Sequence, residues 1–285
     1  MSASMSPTIE TSYRSIDGVR VRYAESGEAQ DRTVLMFNPW PESLFAFEPM
    51  WSELSSHSRV IAVDLPGFGK SERRDELLSP QAMSEFIVSL VEEWSLEAPH
   101  VVAPDVGTPA SLIAAARHPG VLRSLVVGTG ATAFPLQVAG ALQEILDAPN
   151  LDGLRAADPK AVVEGAIAGI EGHELSEEIR DDYISSYEGD RFAESARYVR
   201  SYPDDLPVLG NLLGAIATPV QIIAGSRDPV VPPINAELLD EALPHSKLDI
   251  LDAGHYVWEE RSEQYGSLIT QWVKGGYLKV AEQSA

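Results

Sequence analysis

Val101-Val102-Ala103-Pro104-Asp105-Val106-Gly107-Thr108 is the stretch whose reading decides the fold. An apolar strand-like run breaks sharply there and passes into an apolar helical run. A strand-turn-helix junction of this kind holds one side chain exposed at the apex of a tight turn, the arrangement called a nucleophile elbow. The usual apex residue is serine, whereas this chain has Asp105. A serine that attacked a saturated carbon would form an ether, which a histidine-activated water cannot cleave. A carboxylate forms an alkyl ester, which water hydrolyses at the enzyme's own carbonyl. The residue type therefore points away from ester cleavage and toward displacement at carbon, as in opening an epoxide or expelling a halide.

Outward from the elbow, short β-branched and aliphatic runs recur along the chain. They are Val34-Leu35-Met36-Phe37, Val60-Ile61-Ala62-Val63, Leu125-Val126-Val127, Val220-Gln221-Ile222-Ile223-Ala224 and Leu248-Asp249-Ile250-Leu251. Continuous apolar strands suit a parallel sheet covered on both faces, and the helical stretches between them predict a doubly wound α/β fold. An antiparallel hairpin is expected over 13–23, around the turn Asp17-Gly18. Helices are predicted over 81–94, 108–117 and 260–273. Thr108-Pro109 offers a hydroxyl and a proline where a helix start needs them.

The rhythm breaks from Phe134 to about Gly210, where helical segments over 136–146, 159–170 and 176–187 are joined by acidic connections. This stretch reads as a helical cap inserted after the sixth strand. The predicted division is a core from 1–133 and 211–285, with the cap over 134–210.

Two further positions complete a catalytic set. Asp228 lies just past a late strand, in Gly225-Ser226-Arg227-Asp228-Pro229, and His255 follows the last strand in Asp252-Ala253-Gly254-His255. Nucleophile, acid and histidine in that chain order resemble the triad order of the α/β-hydrolases. Asp228 would hold the imidazole's tautomer, and His255 would take the proton from the attacking water. The sixth strand ends in Gly128-Thr129-Gly130, with no carboxylate to compete for the acid role. His57, His100, His118, His173 and His245 sit in contexts that suit structural roles.

With these residues in place, the chain resembles the α/β-hydrolase superfamily over nearly its whole length, including Asp64-Leu65-Pro66-Gly67-Phe68-Gly69-Lys70-Ser71. Among its branches it is most similar to epoxide hydrolases and haloalkane dehalogenases, which use an aspartate nucleophile. Trp40-Pro41-Glu42-Ser43 resembles the end of the epoxide-hydrolase His-Gly-x-Pro loop. The resemblance implies an oxyanion hole made by the backbone N–H groups of Trp40 and Val106.

Two departures separate this chain from those branches. Asn38-Pro39 stands where family members usually have His-Gly, and Val106-Gly107-Thr108 where many have Trp-Gly-Gly. Val106 removes the indole donor with which dehalogenases hold halide, leaving the Trp40 indole as the remaining donor. Epoxide opening needs an acid for the leaving alkoxide, which epoxide hydrolases supply from cap tyrosines. The candidates are Tyr183, Tyr187, Tyr198 and Tyr202. Arg197-Tyr198-Val199-Arg200 resembles the family's second-tyrosine segment, but with the tyrosine one residue early. One residue is about 100° of helix rotation.

Composition bounds the rest. A chain of 285 residues, 44% of them hydrophobic, can bury the core of one large domain. With no cysteine, disulfides and thiolate chemistry are excluded. A net charge of −22 disfavours nucleic acid and anionic membrane as partners. Met1 to Pro7 carry neither a basic region nor an apolar run and read as a loose N-terminus. The expectation is a cytoplasmic hydrolase, without cofactor or metal, acting on a small apolar or moderately polar organic substrate. A homodimer stays open. Epoxide hydrolysis is the favoured activity, with haloalkane dehalogenation first among the alternatives. A ligand-binding protein or lyase on the same scaffold comes next, kept open by Asn38-Pro39 and Ala103-Pro104.

Overall fold

The β-branched runs form one eight-stranded sheet in the order β1-β2-β4-β3-β5-β6-β7-β8. Its strands are β1 (Thr11–Ile16), β2 (Val19–Ser26), β3 (Thr33–Phe37), β4 (Arg59–Val63), β5 (His100–Pro104), β6 (Ser124–Gly128), β7 (Val220–Gly225) and β8 (Ser246–Leu251). The computed structural model describes residues 9–27 and 32–282, so the N-terminal stretch Met1 to Pro7 lies outside the described residues. β2 runs antiparallel to both its neighbours and closes the predicted hairpin with β1. Every other pairing is parallel.

Alternation along the strands divides them between two cores. Leu35, Phe37, Val101, Ala103, Leu125 and Val127 pack on one face. Val34, Met36, Val102 and Val126 pack on the other. Each such side chain contributes about 1.5–3 kcal/mol by leaving water, which explains why the central strands read as unbroken apolar runs. β8 is different: as the sheet's edge strand it is only half covered.

The helices in chain order are α1 (Glu48–Ser55), α2 (Pro80–Glu93), α3 (Gly107–Arg117), α4 (Gly140–Asp147), α5 (Asp152–Ala156), α6 (Pro159–Ile167), α7 (Glu177–Ser186), α8 (Arg191–Arg200), α9 (Tyr202–Leu212), α10 (Ile234–Ala242), α11 (Val257–Glu260), α12 (Ser262–Gln271) and α13 (Tyr277–Glu282). Helices α4 to α9 stand between β6 and β7. Val163, Ile167, Ile179, Tyr183, Tyr187 and Phe192 of this insertion form a separate apolar cluster. Leu206 and Leu209 of α9 belong instead to the main core.

Four local expectations need correction. The helix expected over 260–273 is split, because Arg261 (φ −133°, ψ 41°) leaves the helical region between α11 and α12. The helix expected over 136–146 starts later, at Gly140, and the one over 159–170 stops at Ile167. Thr108 does not cap α3: its hydroxyl donates to the Ala103 carbonyl at 2.8 Å and ties the helix start back to β5.

One buried ion cluster fastens the inserted helices to the sheet. Arg22 of β2 donates to Asp64 at 2.6 Å and in bidentate fashion to Asp182 of α7, at 2.7 and 2.9 Å. Lys70 and Ser43 add donors to the same Asp182 carboxylate, at 2.8 and 2.7 Å. Asp182 is held below the usual carboxylate range: burial opposes this, but the hydrogen bonds and charge of Arg22, with Lys70 and Ser43, outweigh it.

Candidate active site

Asp105 sits between β5 and α3 with φ at 51°. A non-glycine residue in that left-handed region costs about 1–2 kcal/mol, so the surroundings must hold it there. Its N–H donates to the Gly128 carbonyl at 2.9 Å, and its carbonyl accepts from the Thr108 N–H at 3.0 Å. Gly130 leaves the room, since a Cβ there would lie 2.5 Å from the Asp105 carbonyl oxygen. The turn is thus fixed from both sides and the side chain projects beyond the strand ends.

The two amides expected to form an oxyanion hole both meet the Asp105 carboxylate. The Trp40 N–H donates to Oδ2 at 2.7 Å, and the neighbouring Val106 amide also favours the ionised carboxyl. Oδ1 faces His255 Nε2 at 3.9 Å, beyond hydrogen-bonding distance. Burial pushes the Asp105 carboxyl up, while the neighbouring His255 and the two amides pull against that rise.

Asp228 orients His255. Its Oδ2 lies 2.7 Å from Nδ1, while its Oδ1 accepts the Val230 and Val231 N–H groups, each at 2.8 Å. An ionised Asp228 so engaged accepts a proton on Nδ1, which assigns the lone pair of neutral His255 to Nε2, on the Asp105 side. Burial works to lower the His255 pKa. The charge and hydrogen bond of Asp228, then the charges of Asp105 and Glu260, outweigh it and hold the pKa above the ordinary value.

Asp105 and His255 open onto a cavity of about 990 Å³. Leu142, Ile145, Leu154, Val162, Phe192 and Val199 supply much of its apolar lining. Such a volume lies at the upper end of the usual range for small-molecule sites. Charged lining residues include Arg227 and Glu171, which pair at 2.6 Å.

The four tyrosines are not equivalent. Tyr202 lines the cavity, and its hydroxyl makes no hydrogen bond among the described residues. Burial and then the charge of Asp105 push its pKa well above the ordinary value. Tyr198 lies outside the lining, and its hydroxyl donates to the Val106 carbonyl at 2.8 Å. The Tyr183 hydroxyl donates to Glu259 at 2.7 Å, and that of Tyr187 to the Glu42 carbonyl at 2.9 Å. The structure brings only Tyr202 of the four into the cavity with Asp105.

Other residues at the site were not singled out from sequence. Ser195 of α8 accepts the Trp40 indole N–H at 2.9 Å, and Phe192 stacks on that indole. Tyr256 lines the cavity beside His255, with its hydroxyl donating to the Ala166 carbonyl at 2.9 Å. Glu260 accepts the Gly254 N–H at 2.6 Å and so braces the turn that carries His255. The usable signal was proximity in sequence: Tyr256 and Glu260 both lie within five positions of His255. Ser195 carried no such signal. Among the described residues no cluster of His, Asp or Glu is arranged to hold a metal ion, and no helix is long and apolar enough to cross a membrane.

The chain is similar to known proteins over most of its length. The chain is 26% identical to the uncharacterized hydrolase YugF of Bacillus subtilis (strain 168), covering 91% of this chain and 96% of that protein. It is 25% identical to a haloalkane dehalogenase of Bradyrhizobium diazoefficiens, over 95% of this chain and 97% of the relative. The crystal structure of epoxide hydrolase VrEH1 from Vigna radiata superposes with a TM-score of 0.77 at 18% identity, covering 93% of this chain and 98% of that one. At that identity the likeness speaks for the fold. Residues 37–266, most of the sequence, match the alpha/beta hydrolase family, and the chain belongs to that family.

Proposed function

We propose that this protein is a cofactor-independent hydrolase with Asp105 as nucleophile, and that its substrates are epoxides. The supporting observation is the division of labour on one carboxylate: the Trp40 amide holds Oδ2, with the Val106 amide beside it, while Oδ1 faces the cavity and His255. A serine-type hydrolase would need those amides for the substrate's carbonyl oxygen. Here they are already aimed at the enzyme's own carboxyl, where the second oxyanion develops.

In the first half-reaction Oδ1 attacks an epoxide carbon and the ring C–O bond breaks. Tyr202 gives its proton to the departing oxygen. In the second, His255 takes a proton from water as the water oxygen adds to Cγ of Asp105. The amides stabilise the oxyanion on Oδ2. Collapse expels the alkoxide, which takes the proton left on the Asp105 carboxyl to complete the diol, and the proton on His255 returns to the Tyr202 phenolate. Esterification also prepares its own sequel. It removes the Asp105 charge that helps to raise the His255 pKa, which favours the neutral imidazole when a base is required. Helices α4 to α8 and all but the last two residues of α9 act as the cap, over 134–210, on a core of 1–133 and 211–285.

Halide displacement is the second reading, favoured by the likeness to a haloalkane dehalogenase. Against it, the Trp40 indole N–H is already bonded to Ser195, and Val106 offers no side-chain donor.

The test is intact mass of a His255→Gln variant after incubation with styrene oxide or butyl bromide. An adduct with the mass of the whole epoxide, mapped to Asp105, is expected. A butyl adduct without bromine would make the protein a dehalogenase, and no adduct from either would sink the aspartate-nucleophile reading.

A further inference from the structure

Behind the Trp40 amide lie two carboxyls that the chemistry above leaves unused. Glu42, two residues past Trp40, is 0% exposed, and Glu259 of α11, four residues past His255, is 2% exposed. Glu42 Oε1 accepts the Trp258 indole N–H at 3.1 Å, and Glu259 Oε1 accepts the Tyr183 hydroxyl at 2.7 Å. The remaining oxygen of each, Oε2, is buried with no donor. The two carboxyls are within hydrogen-bonding reach of one another. No lysine or arginine among the described residues bonds to either. Two ionised carboxylates so placed would leave both oxygens orphaned and would repel each other, at a cost that burial magnifies. A proton between them satisfies both.

We propose that Glu42 and Glu259 keep a proton between them at neutral pH, and that this acid–acid hydrogen bond positions the Trp40 amide against Asp105. The bond joins three elements at one point. Glu42 belongs to the loop that carries Trp40, Glu259 to the helix after His255, and Tyr183 to α7 of the insertion. The ionisable groups facing the pair are Asp105 from the elbow, Glu260 from α11, Tyr256 from the His255 turn, and Tyr183 and Tyr187 from the inserted helices. None carries a positive charge; the Tyr183 hydroxyl supplies one hydrogen bond to Glu259, and neither Oε2 has a donor. Burial, and then the charge of Glu259, pushes Glu42 well above the usual range. Burial likewise pushes Glu259 up to about 7.

Both folded-state values lie above those of an unfolded chain. The stability that the pair contributes is therefore complete below the unfolded value and is lost as pH rises through the folded one. Glu259→Gln keeps the contacts: its Oε1 accepts from Tyr183 while its Nε2 donates to Glu42. Glu42→Gln does the same from the other side. With both residues changed, two amide N–H groups oppose one another, or one must turn and give up its Trp258 or Tyr183 bond.

The experiment is thermal unfolding of wild type, both single glutamine variants and the double variant, at about pH 6 and about pH 9. The expected result is a wild-type Tm that falls with pH, a flatter slope in Glu259→Gln, and a double variant less stable than the sum of the singles. An additive double variant, or a Glu259→Gln slope equal to wild type, overturns the proposal. The positioning effect rests on Asp105 as nucleophile and is read separately, with styrene oxide as probe. Glu259→Ala should lower kcat about tenfold or more with little change in KM, and Glu259→Gln should restore it. Equal kcat in Glu259→Ala and wild type would refute the positioning role. If the probe is not turned over at all, the epoxide reading fails while the unfolding data still decide the shared proton.

Discussion

On the sheet side of the cavity, Asp105, Trp40 and His255 are each fixed by hydrogen bonds from strand ends and their loops. On the helix side, Leu142, Ile145, Val162 and Phe192 present apolar surface, and Tyr202 adds one uncommitted hydroxyl. The contrast shows how labour is divided within one pocket. Bond-making needs polar groups held to fractions of an ångström, which the strand ends supply. Choice of substrate needs shape, which loosely specified helices supply. Substitutions on the sheet wall should therefore alter rate, and those on the helix wall should alter which molecule is accepted.

The sharpest break in that contrast is Asp105→Ala. Turnover should fall by about 10⁴-fold or more, because no other carboxylate can form the ester. Thermal unfolding should be little changed, since removing the carboxylate also relieves a buried charge. Activity within tenfold of wild type would show that the sheet wall does not carry the chemistry.

Next in size is a paired test of the helix wall. Tyr202→Phe should lower kcat/KM for an epoxide by about a hundredfold, the loss expected for a general acid. Tyr198→Phe should change the rate little but cost about 1 kcal/mol of stability, the worth of its bond to the Val106 carbonyl. The reverse pattern would move the acid from Tyr202 to Tyr198.

The smallest effect is on pH dependence. Turnover needs ionised Asp105 for the first half-reaction and neutral His255 for the second, and both pKa values are held above their ordinary ones. The rate should rise with pH through the His255 titration, by about tenfold per unit on the acid limb. A profile flat from weakly acidic to neutral pH would remove His255 as the base.

The sheet wall was largely legible in the sequence. Its strands are β-branched runs, and each candidate catalytic side chain follows one within four residues: Asp105 after β5, Asp228 after β7 and His255 after β8. The helix wall was not. Which tyrosine faces the cavity depends on the rotation of α8 and α9 about their axes, and one position changes that by about 100°. The family-like segment around Tyr198 pointed to a residue whose hydroxyl is spent on Val106, while Tyr202, at the first turn of α9, reaches the cavity. The bonds of Ser195 to Trp40 and Glu42 to Trp258 join positions far apart in the chain, so no local pattern announces them. The break at Arg261 escaped because a helix continued past it on both sides of the same apolar pattern.

The Arg22–Asp64–Asp182 cluster also bears on traffic. Stripping one partner from such a buried set costs about 3–5 kcal/mol, so α7 rarely lifts away from the sheet. The Arg227–Glu171 pair at the cavity is about half exposed on both sides, and exposed pairs are readily broken and screened by salt. An entrance beside Arg227 would widen as ionic strength rises, whereas the buried Arg22 cluster would keep α7 in place.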